Sequence, residues 1–466
     1  MSLRSLMVAP TLPLHPVPGP RGLPLIGNLL AYGSDPLAFL TRLRDDFGDA
    51  VTWSFGPWRS LLISHPTHIG EHFEGIGRSY RTLAPPETLK RVIGKSVLTS
   101  QDDEWRRKRS LVQPAVRPRQ VRGYATTMVD CAEALADSWK DGQRVDVVRE
   151  MYLLMQRIVA QTLFGNDIGK QADTLSTALS AALAEIGREV RSISLLFPPW
   201  VSTPARRRMR TATATINTEI HRLIQDRKNA ADRTEPRDDL LSRLLAARDE
   251  DGLPLSSTEV RDEAVTLWFA GQETTATTLT WIWHLLSTHP TARAVLTEEL
   301  DRVLAGRPPA FDDYERLTWT EQIVKEALRL YPPGWALAAR AQEGASLGGL
   351  PVRAGTTVWC SPWSLHRDPR WFPDPTAFRP ERWDVDAPHM VPTHAWIPFG
   401  GGQRICLGAR FAMVAAVMTV ATLAQRFHID LDIAPGGAAP VAGLTLTPTG
   451  PLHATLHAVR PLTAGR

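Results

Sequence analysis

The sequence predicts a mainly α fold with small β-sheets, and three observations support this. One segment, from the Ser256 cap signal to His289-Pro290, has the apolar pattern and length of a long helix. Residues 101–342 around it are mostly helical in pattern, and short stretches of strand-like alternation lie near both ends of the chain. We therefore expect a helical body built around one long helix.

Composition and charge narrow the class of protein. The 466 residues are 43% hydrophobic and 22% charged, which suits a large globular core, and no repeat or linker divides the middle of the chain. We expect a single domain over residues 1–466 that starts with an extended, proline-rich lead-in at 1–24. The formal net charge of +4 gives little support to nucleic acid binding.

The cysteines and the N-terminal segment indicate where in the cell the protein is located. Cys131, Cys360 and Cys406 lie far apart without CxxC spacing, which argues against disulfides or zinc and favours a reducing, cytoplasmic setting. Prolines interrupt the apolar N-terminal stretch well before the roughly 20 residues of a membrane span. We expect no transmembrane anchor, while a peripheral membrane contact through this segment stays open.

Along the chain, local patterns predict the individual elements. Residues 37–47 have a helical pattern, and residues 50–64 predict paired strands around Gly56-Pro57. The long helix of about 30 residues would measure roughly 45 Å. After residue 345, the segments 347–352 and 356–360 alternate like strands, and residues 409–427 predict a final apolar helix.

A glycine-rich loop, FGGGQRICLG at residues 399–408, delivers Cys406 to the start of that final helix. Amides at a helix N-terminus lower the pKa of a thiol, and glycines such as Gly400 let backbone approach a flat cofactor. The alternative is a buried, inert cysteine, which is the interpretation we give to Cys131 and Cys360.

The offsets of Phe399, Gly400, Arg404 and Cys406, continued by Ala412, resemble the haem-binding loop of the cytochrome P450 family. The resemblance implies that Cys406 is the axial ligand of the iron in haem b, that Arg404 binds a haem propionate, and that the Phe399 ring packs beside the thiolate. Such a thiolate favours O–O cleavage by donating electron density to iron.

In the long helix, AGQETT at residues 270–275 resembles the oxygen-binding segment of the family. Ala270 and Gly271 would leave room above the iron. The Thr274 hydroxyl would hold a water that delivers protons during oxygen activation, and Glu273 would replenish them from solvent. The alternative is that the threonines hydrogen-bond to helix carbonyls and Glu273 faces solvent.

Three further signatures follow the order of the family. Glu326 and Arg329 form its ExxR pair, for which Arg382 would complete a buried structural triad, with Trp383 where Phe is more usual. His366 lies in a turn typical of the family's framework.

Trp105 and Arg109 resemble the WxxxR signature that contacts a haem propionate, and Arg340 fits the position of another propionate contact. The neighbouring basic residues have two interpretations. Arg106, Arg107 and Lys108 form a solvated helix face, or, with Arg117, Arg119 and Arg122, a docking surface for an acidic redox protein.

The resemblance implies a cytochrome P450 fold, with haem between the long helix and the helix that follows the cysteine loop, and a monooxygenase or hydroxylase of secondary metabolism. We expect a monomer that uses O2 and NAD(P)H electrons, delivered by a separate ferredoxin or flavodoxin and its reductase. A haem-thiolate peroxygenase or rearranging enzyme and a non-catalytic haem protein are the alternatives.

The substrate walls are predicted from position alone. The candidates are largely apolar segments, at Tyr80 to Val97, Leu195 to Trp200, Leu267 to Phe269 and Trp335 to Leu337. The second of these is either a lid or simple packing. They favour a terpenoid, fatty-acid-like or polyketide substrate over a charged metabolite.

Overall fold

The computed structural model describes residues 17–83, 87–165, 174–175, 177–179, 181–182, 185, 203–231, 239–387, 389–432 and 438–459. Two compact units make up the chain. Unit 1 comprises Met1–Leu83, Gln322–Leu407 and Ala439–Thr449, and unit 2 comprises Ala84–Glu321, Gly408–Ala438 and Gly450–Arg466. The single domain stays a prediction. Leu195 to Trp200 and the first 16 residues of the lead-in lie outside the described residues.

The helices are α1 (Leu29–Ser34), α2 (Pro36–Phe47), α3 (Pro66–Gly75), α4 (Glu87–Ile93), α5 (Asp102–Val112), α6 (Pro118–Ser138), α7 (Val147–Phe164), α8 (Pro204–Ala231), α9 (Leu240–Ala246), α10 (Ser257–Thr288), α11 (Pro290–Leu304), α12 (Thr318–Leu330), α13 (Pro362–Leu365) and α14 (Ala409–Ala424). The strands are β1 (Ala50–Phe55), β2 (Trp58–Ile63), β3 (Tyr80–Thr82), β4 (Arg144–Asp146), β5 (Leu337–Ala341), β6 (Ser346–Leu347), β7 (Leu350–Pro351), β8 (Thr357–Cys360), β9 (Phe427–Leu431), β10 (Pro440–Ala442), β11 (Leu446–Pro448) and β12 (His453–Ala458). The predicted mainly α fold with small sheets is confirmed.

Unit 1 is built on a five-stranded sheet with the strand order β1-β2-β8-β5-β3. Side chains of a strand alternate between the two faces of a sheet. Leu62 of β2 therefore packs with α2, whereas Leu61 and Ile63 join a second cluster that includes Phe73 of α3. Both faces of the sheet are thus covered within the unit.

Unit 2 is organised around α10, which confirms the predicted long helix. The Ser256 hydroxyl accepts a hydrogen bond from the Glu259 amide at 3.2 Å, and the Glu259 carboxylate accepts one from the Ser256 amide at 2.8 Å. This capping box satisfies two of the free amides at the helix start. The helix then runs for 32 residues to Thr288 and is buried on most faces. Its Trp283 indole donates to the Met151 sulfur of α7 at 3.2 Å.

Two local predictions were wrong in detail, and one helix was missed. Residues 347–352 form two short strands, β6 and β7, because Gly348 and Gly349 turn the chain at positive φ. The final helix stops at Ala424, and Phe427 begins β9 instead. Helix α1 had no sequence signal. Within the described ranges, every helix is too short or too polar to cross a membrane.

A buried ionic cluster lies in unit 1, as the family resemblance implies. Glu326 and Arg329 are fully buried, and two bonds of 2.8 and 2.9 Å join them. Arg382 donates to the same carboxylate at 2.9 Å, and so does the Trp383 indole. The unusual tryptophan therefore adds a donor that the sequence did not predict.

A chain of hydrogen bonds runs from this cluster to the cysteine loop. The His366 ring lies between the Arg329 carbonyl, 3.2 Å from Nδ1, and the Ile397 amide, which donates to Nε2 at 2.9 Å. Because burial lowers the pKa of His366 well below its usual value, the ring is neutral and carries its proton on Nδ1. Ile397 in turn accepts from the Gly400 amide at 3.1 Å. The triad thus fixes where the loop begins.

We expect Glu326→Ala to lower the free energy of unfolding by about 3–5 kcal/mol, because it leaves the Arg329 and Arg382 charges buried without their carboxylate. Urea unfolding followed by circular dichroism measures this loss. Glu381→Ala is the matched control, since Glu381 pairs with Arg379 at the surface, and it should leave the midpoint unchanged. An equal effect of both substitutions would contradict the structural role of the cluster.

Candidate active site

The cysteine loop of unit 1 is closed by its own backbone. The Cys406 amide donates to the Phe399 carbonyl at 2.9 Å, and a single 3-10 turn, Gly402–Arg404, lies between them. Gly400 and Gly402 both have positive φ, of 71° and 62°. The loop therefore needs glycine at these two positions to present the cysteine.

Helix α3 gives a second reason for the glycines. A Cβ on Gly401 would stand 2.2 Å from the ring of Phe73, and one on Gly402 would stand 2.3 Å from the Phe73 carbonyl oxygen. We expected glycines here to let backbone approach a cofactor. The structure adds that Phe73 excludes any larger residue at both positions.

The three cysteines differ in exposure, and this separates Cys406 from the others. Cys131 and Cys360 are buried, as expected, and burial raises the pKa of each thiol to about 12. Both therefore stay protonated near neutral pH. Cys406 is exposed. Its sulfur is accessible to a metal-bearing group, as an axial ligand requires.

Other predicted site residues of unit 1 surround or flank this loop. Phe399 makes an edge contact with Trp396, with ring centroids 6.3 Å apart. A Cβ on Gly400 would lie 3.7 Å from the Leu337 side chain, at the start of the strand that carries Arg340. Arg404 lies partly buried in the 3-10 turn itself. The structure thus gathers the loop and the start of β5 within unit 1.

Unit 2 carries the AGQETT segment in the middle of α10. The Thr274 hydroxyl donates a hydrogen bond to the Ala270 carbonyl at 2.7 Å. The alternative interpretation, in which the threonine bonds a helix carbonyl, is therefore correct for the hydroxyl as a donor. The hydroxyl oxygen keeps lone pairs that can accept from a water. Ala270 is exposed although most of α10 is buried, and Glu273 and Thr274 are partly buried.

Gly271 lies on the side of α10 that faces α7, not beside open space. A Cβ on Gly271 would meet Val159 of α7 at 3.4 Å, which is ordinary contact. Gln272, the next residue, is buried with neither amide atom bonded to a described residue. Trp268, within a predicted substrate wall, instead packs edge-on against Phe164 of α7. That part of the wall prediction was wrong.

Helix α5 places Trp105 in the core of unit 2, with Arg109 partly buried one turn later. The prediction of a solvated basic face fails at Lys108, which is only 2% exposed. Its ammonium lies 3.3 Å from Glu104 and donates to the Lys95 carbonyl. Arg107 likewise forms ion pairs with two acids, Asp249 and Glu259.

Three other basic residues of this region were predicted as part of a docking surface. Arg122 pairs at the surface with Asp312, at 2.8 Å. Arg117 and Arg119 are exposed. The cationic surface is therefore smaller than the sequence suggested.

Comparisons with known proteins show which family the chain belongs to. The family model described as cytochrome P450 matches residues 17–440. The chain is 35% identical to cyclooctatin synthase of Streptomyces melanosporofaciens, over 95% of this chain and 94% of the relative. It is 34% identical to pentalenene oxygenase of Streptomyces avermitilis, over 91% of this chain and 94% of that protein. A third relative, cyclooctat-9-en-7-ol 5-monooxygenase of Streptomyces melanosporofaciens, is 33% identical, over 92% and 90%.

The chain belongs to the cytochrome P450 family. It is therefore an oxidoreductase, a P450 monooxygenase, and haem is its cofactor. The residues present fit haem, because the exposed Cys406 lies in a glycine loop whose shape is fixed by its own backbone and by Phe73.

Two acids near the start of α10 hold the segment before α5, and sequence reasoning missed them. The Lys95 amide donates to Asp262 at 2.7 Å, and the Val97 amide donates to Glu263 at 2.8 Å. Gly94, with φ of 63°, is required because a Cβ there would stand 2.2 Å from the Asp262 carboxylate. The sequence signal for these contacts was a pair of adjacent acids near the start of an otherwise apolar helix. Acids at a helix start usually interact with the helix dipole, so the pair did not by itself indicate a contact with another segment.

Ion pairs of Arg107 also join α5 to the start of α10 and the segment before it in this P450. Arg107 bonds Glu259 at 2.8 Å and Asp249 at 2.7 Å. The helix that carries Trp105 and Arg109 is thereby fixed against α10 through side chains outside the predicted signatures.

The Glu263 carboxyl should make stability depend on pH. It is fully buried, and burial raises its pKa from 4.5 to about 7. Its contribution to stability is complete below pH 4.5, where it is protonated in both states, and is lost as the pH rises through about 7. The loss amounts to ~3 kcal/mol. Urea unfolding at pH 5 and pH 8 should show that the free energy of unfolding of the unchanged protein falls between these two pH values. Glu263→Gln should remove this fall.

Asp103→Asn is the matched control for Glu263→Gln, because Asp103 is an exposed acid in the same unit, 91% exposed at its side chain. Its pH profile should follow that of the unchanged protein. A Glu263→Gln variant with the same fall in stability would show that Glu263 stays ionised when buried.

Proposed function

We propose that this P450 inserts one oxygen atom from O2 into a C–H or C=C bond of an apolar small molecule, most specifically a terpenoid. The observation that carries the proposal is the accessible Cys406 in a closed glycine loop, in a chain that also carries Thr274 and Glu273 in α10. The second oxygen atom leaves as water after two electrons and two protons have arrived.

In the proposed site, Cys406 holds the iron of haem b as a thiolate. Arg404, Arg340, Trp105 and Arg109 bind the haem propionates. Phe399 and Gly400 line the sulfur side of the loop, where the ring and the backbone exclude water. When bound, thiolate-ligated haem supplies the redox chemistry that activates oxygen.

The protein's contribution to proton delivery rests on two residues of α10. The Thr274 hydroxyl donates a hydrogen bond to the Ala270 carbonyl at 2.7 Å. Its oxygen is therefore left to accept a hydrogen bond from a water, and it orients that water. Glu273 exchanges protons with solvent and passes them to this water. The small side chain of Ala270, which is exposed, keeps the space beside it free.

Electrons reach the site from NAD(P)H through a separate ferredoxin or flavodoxin and its reductase. Arg107 and Lys108 bond acids of unit 2 and are engaged within the fold. Arg117 and Arg119, which are exposed, are the cations that we propose for contact with an acidic redox protein.

Two observations support an apolar, terpenoid substrate. The names of three relatives refer to cyclooctatin, pentalenene and cyclooctat-9-en-7-ol, which are terpenoid compounds. The candidate wall residues Leu267, Phe269 and Leu337 are apolar. Trp335 contributes less to a wall, because it packs on the cluster beside α2 and donates to the Gly443 carbonyl at 3.0 Å.

Ligation by Cys406 is tested by the carbon monoxide complex of the reduced, haem-loaded protein. We expect a Soret band at the position of thiolate-ligated haem, and we expect Cys406→His to move it to the position of imidazole-ligated haem. Cys131→Ala and Cys360→Ala are controls that should leave the band in place. An imidazole-type band in the freshly folded, unsubstituted protein would overturn the assignment.

Thr274→Ala tests the proton path. With redox partners and a substrate that shifts the Soret band, we expect NAD(P)H consumption to continue while product per NAD(P)H falls by about tenfold and peroxide rises. A positioned proton donor is worth about 10²–10⁴-fold in rate, and a loose water replaces part of it. Thr278→Ala, which removes a similar back-bond one turn later, is the control. Unchanged product yield in Thr274→Ala would remove Thr274 from the path.

A further inference from the structure

Unit 1 exposes a group of large apolar side chains beside the turn between β1 and β2. We call this group the apolar patch, and it consists of Leu23, Leu25, Ile26, Leu29, Leu30 and Trp58. Leu25 is 94% exposed, Leu30 64% and Trp58 57%. Single exposed apolar residues are normal, but a contiguous group marks an interaction surface.

Hydrogen bonds make the apolar patch one surface. The Asn28 amide donates to the Ser54 carbonyl at 2.8 Å, and the Gly56 amide donates to the Ile26 carbonyl at 3.1 Å. A Cβ on Gly56 would lie 3.8 Å from the Leu25 carbonyl and 3.9 Å from the Trp58 ring. Leu25 and Trp58 are therefore neighbours on either side of Gly56.

The backbone at Leu25 is unusual for a leucine. Its φ is 65°, and the Ile26 amide bonds the Pro24 carbonyl at 2.8 Å, which closes a three-residue turn around it. Turns of this kind with positive φ are rare and strained for a residue with a side chain. Leu25 thus combines backbone strain with nearly complete exposure of an apolar side chain. Neither feature helps the isolated chain to fold.

The charged residues within the two segments that form the apolar patch have one sign, and the nearest acids along the chain, Asp35 and Asp49, lie just outside these segments. Residues 1–34 contain no acidic residue, and neither do residues 50–64. Arg21 and Arg59 are exposed beside the patch. A surface that is apolar at its centre and basic at its margin complements an anionic lipid bilayer, in which tryptophan favours the headgroup region.

We propose that the apolar patch docks this P450 on anionic lipid membranes, with Leu25 and Trp58 entering the interface and Arg21 and Arg59 contacting lipid phosphates. Docking of two copies through this patch is disfavoured, because the segments that form it, residues 17–34 and 50–64, offer no acid to the arginines of a second copy. The proposal is independent of the proposed reaction, since it uses none of the site residues.

Flotation of the haem-loaded, full-length protein with lipid vesicles tests the proposal. We expect binding to vesicles of phosphatidylcholine with phosphatidylglycerol, weaker binding to phosphatidylcholine alone, and release as salt rises from 0.1 M to 1 M. The double substitution Leu25→Ser with Trp58→Ser should reduce binding by about tenfold or more. Arg21→Gln and Arg59→Gln should each reduce binding to anionic vesicles by about fivefold.

The control is Val385→Ser with Met390→Ser, two exposed apolar residues of unit 1 outside the patch, and this variant should bind like the unchanged protein. The carbon monoxide spectrum checks that each variant is folded. The proposal is wrong if the unchanged protein does not bind anionic vesicles or if the Leu25 and Trp58 variant binds equally well. A concentration-dependent dimer that only this variant loses would also overturn it and assign the patch to a second copy.

Discussion

The buried carboxylate of Glu326 is the constraint on which the cysteine loop depends. It neutralises Arg329, and it also orders the turn that carries Arg382. Through the Arg329 carbonyl, the neutral His366 ring and the Ile397 amide, the cluster reaches the residue to which Gly400 is bonded. A buried ion pair is weak support for stability alone. Here its value is positional, because several segments of unit 1 meet at one carboxylate.

Helix α10 has a comparable positioning role in unit 2. Its capping box and its stop before Pro290 fix its ends, and its packing on α7 fixes its rotation. Asp262 and Glu263 then use the first turns to hold the segment that leads into α5. The helix is therefore both the carrier of the AGQETT segment and the anchor of neighbouring elements.

The sequence predicted what local pattern determines. The ends of α10 and the hairpin around Gly56 follow from caps and alternation, and the triad partners of Glu326 follow from the resemblance to the P450 family. It could not predict Lys108 burial or the Glu263 contact, because both depend on which segment packs against α5 and α10 in three dimensions. It also gave an incomplete reason for Gly401, whose requirement comes from Phe73, far away in sequence. The roles of Arg404, Arg340, Trp105 and Arg109 toward haem stay predictions.

The position of Phe73 has a consequence for assembly of the holoenzyme. Because α3 and the His366 bonds shape the cysteine loop within one unit, the chain does not depend on the cofactor to organise that part of its binding site. Little conformational entropy is then lost there when the porphyrin is captured. Haem uptake at this loop resembles docking to a preorganised receptor rather than folding coupled to binding.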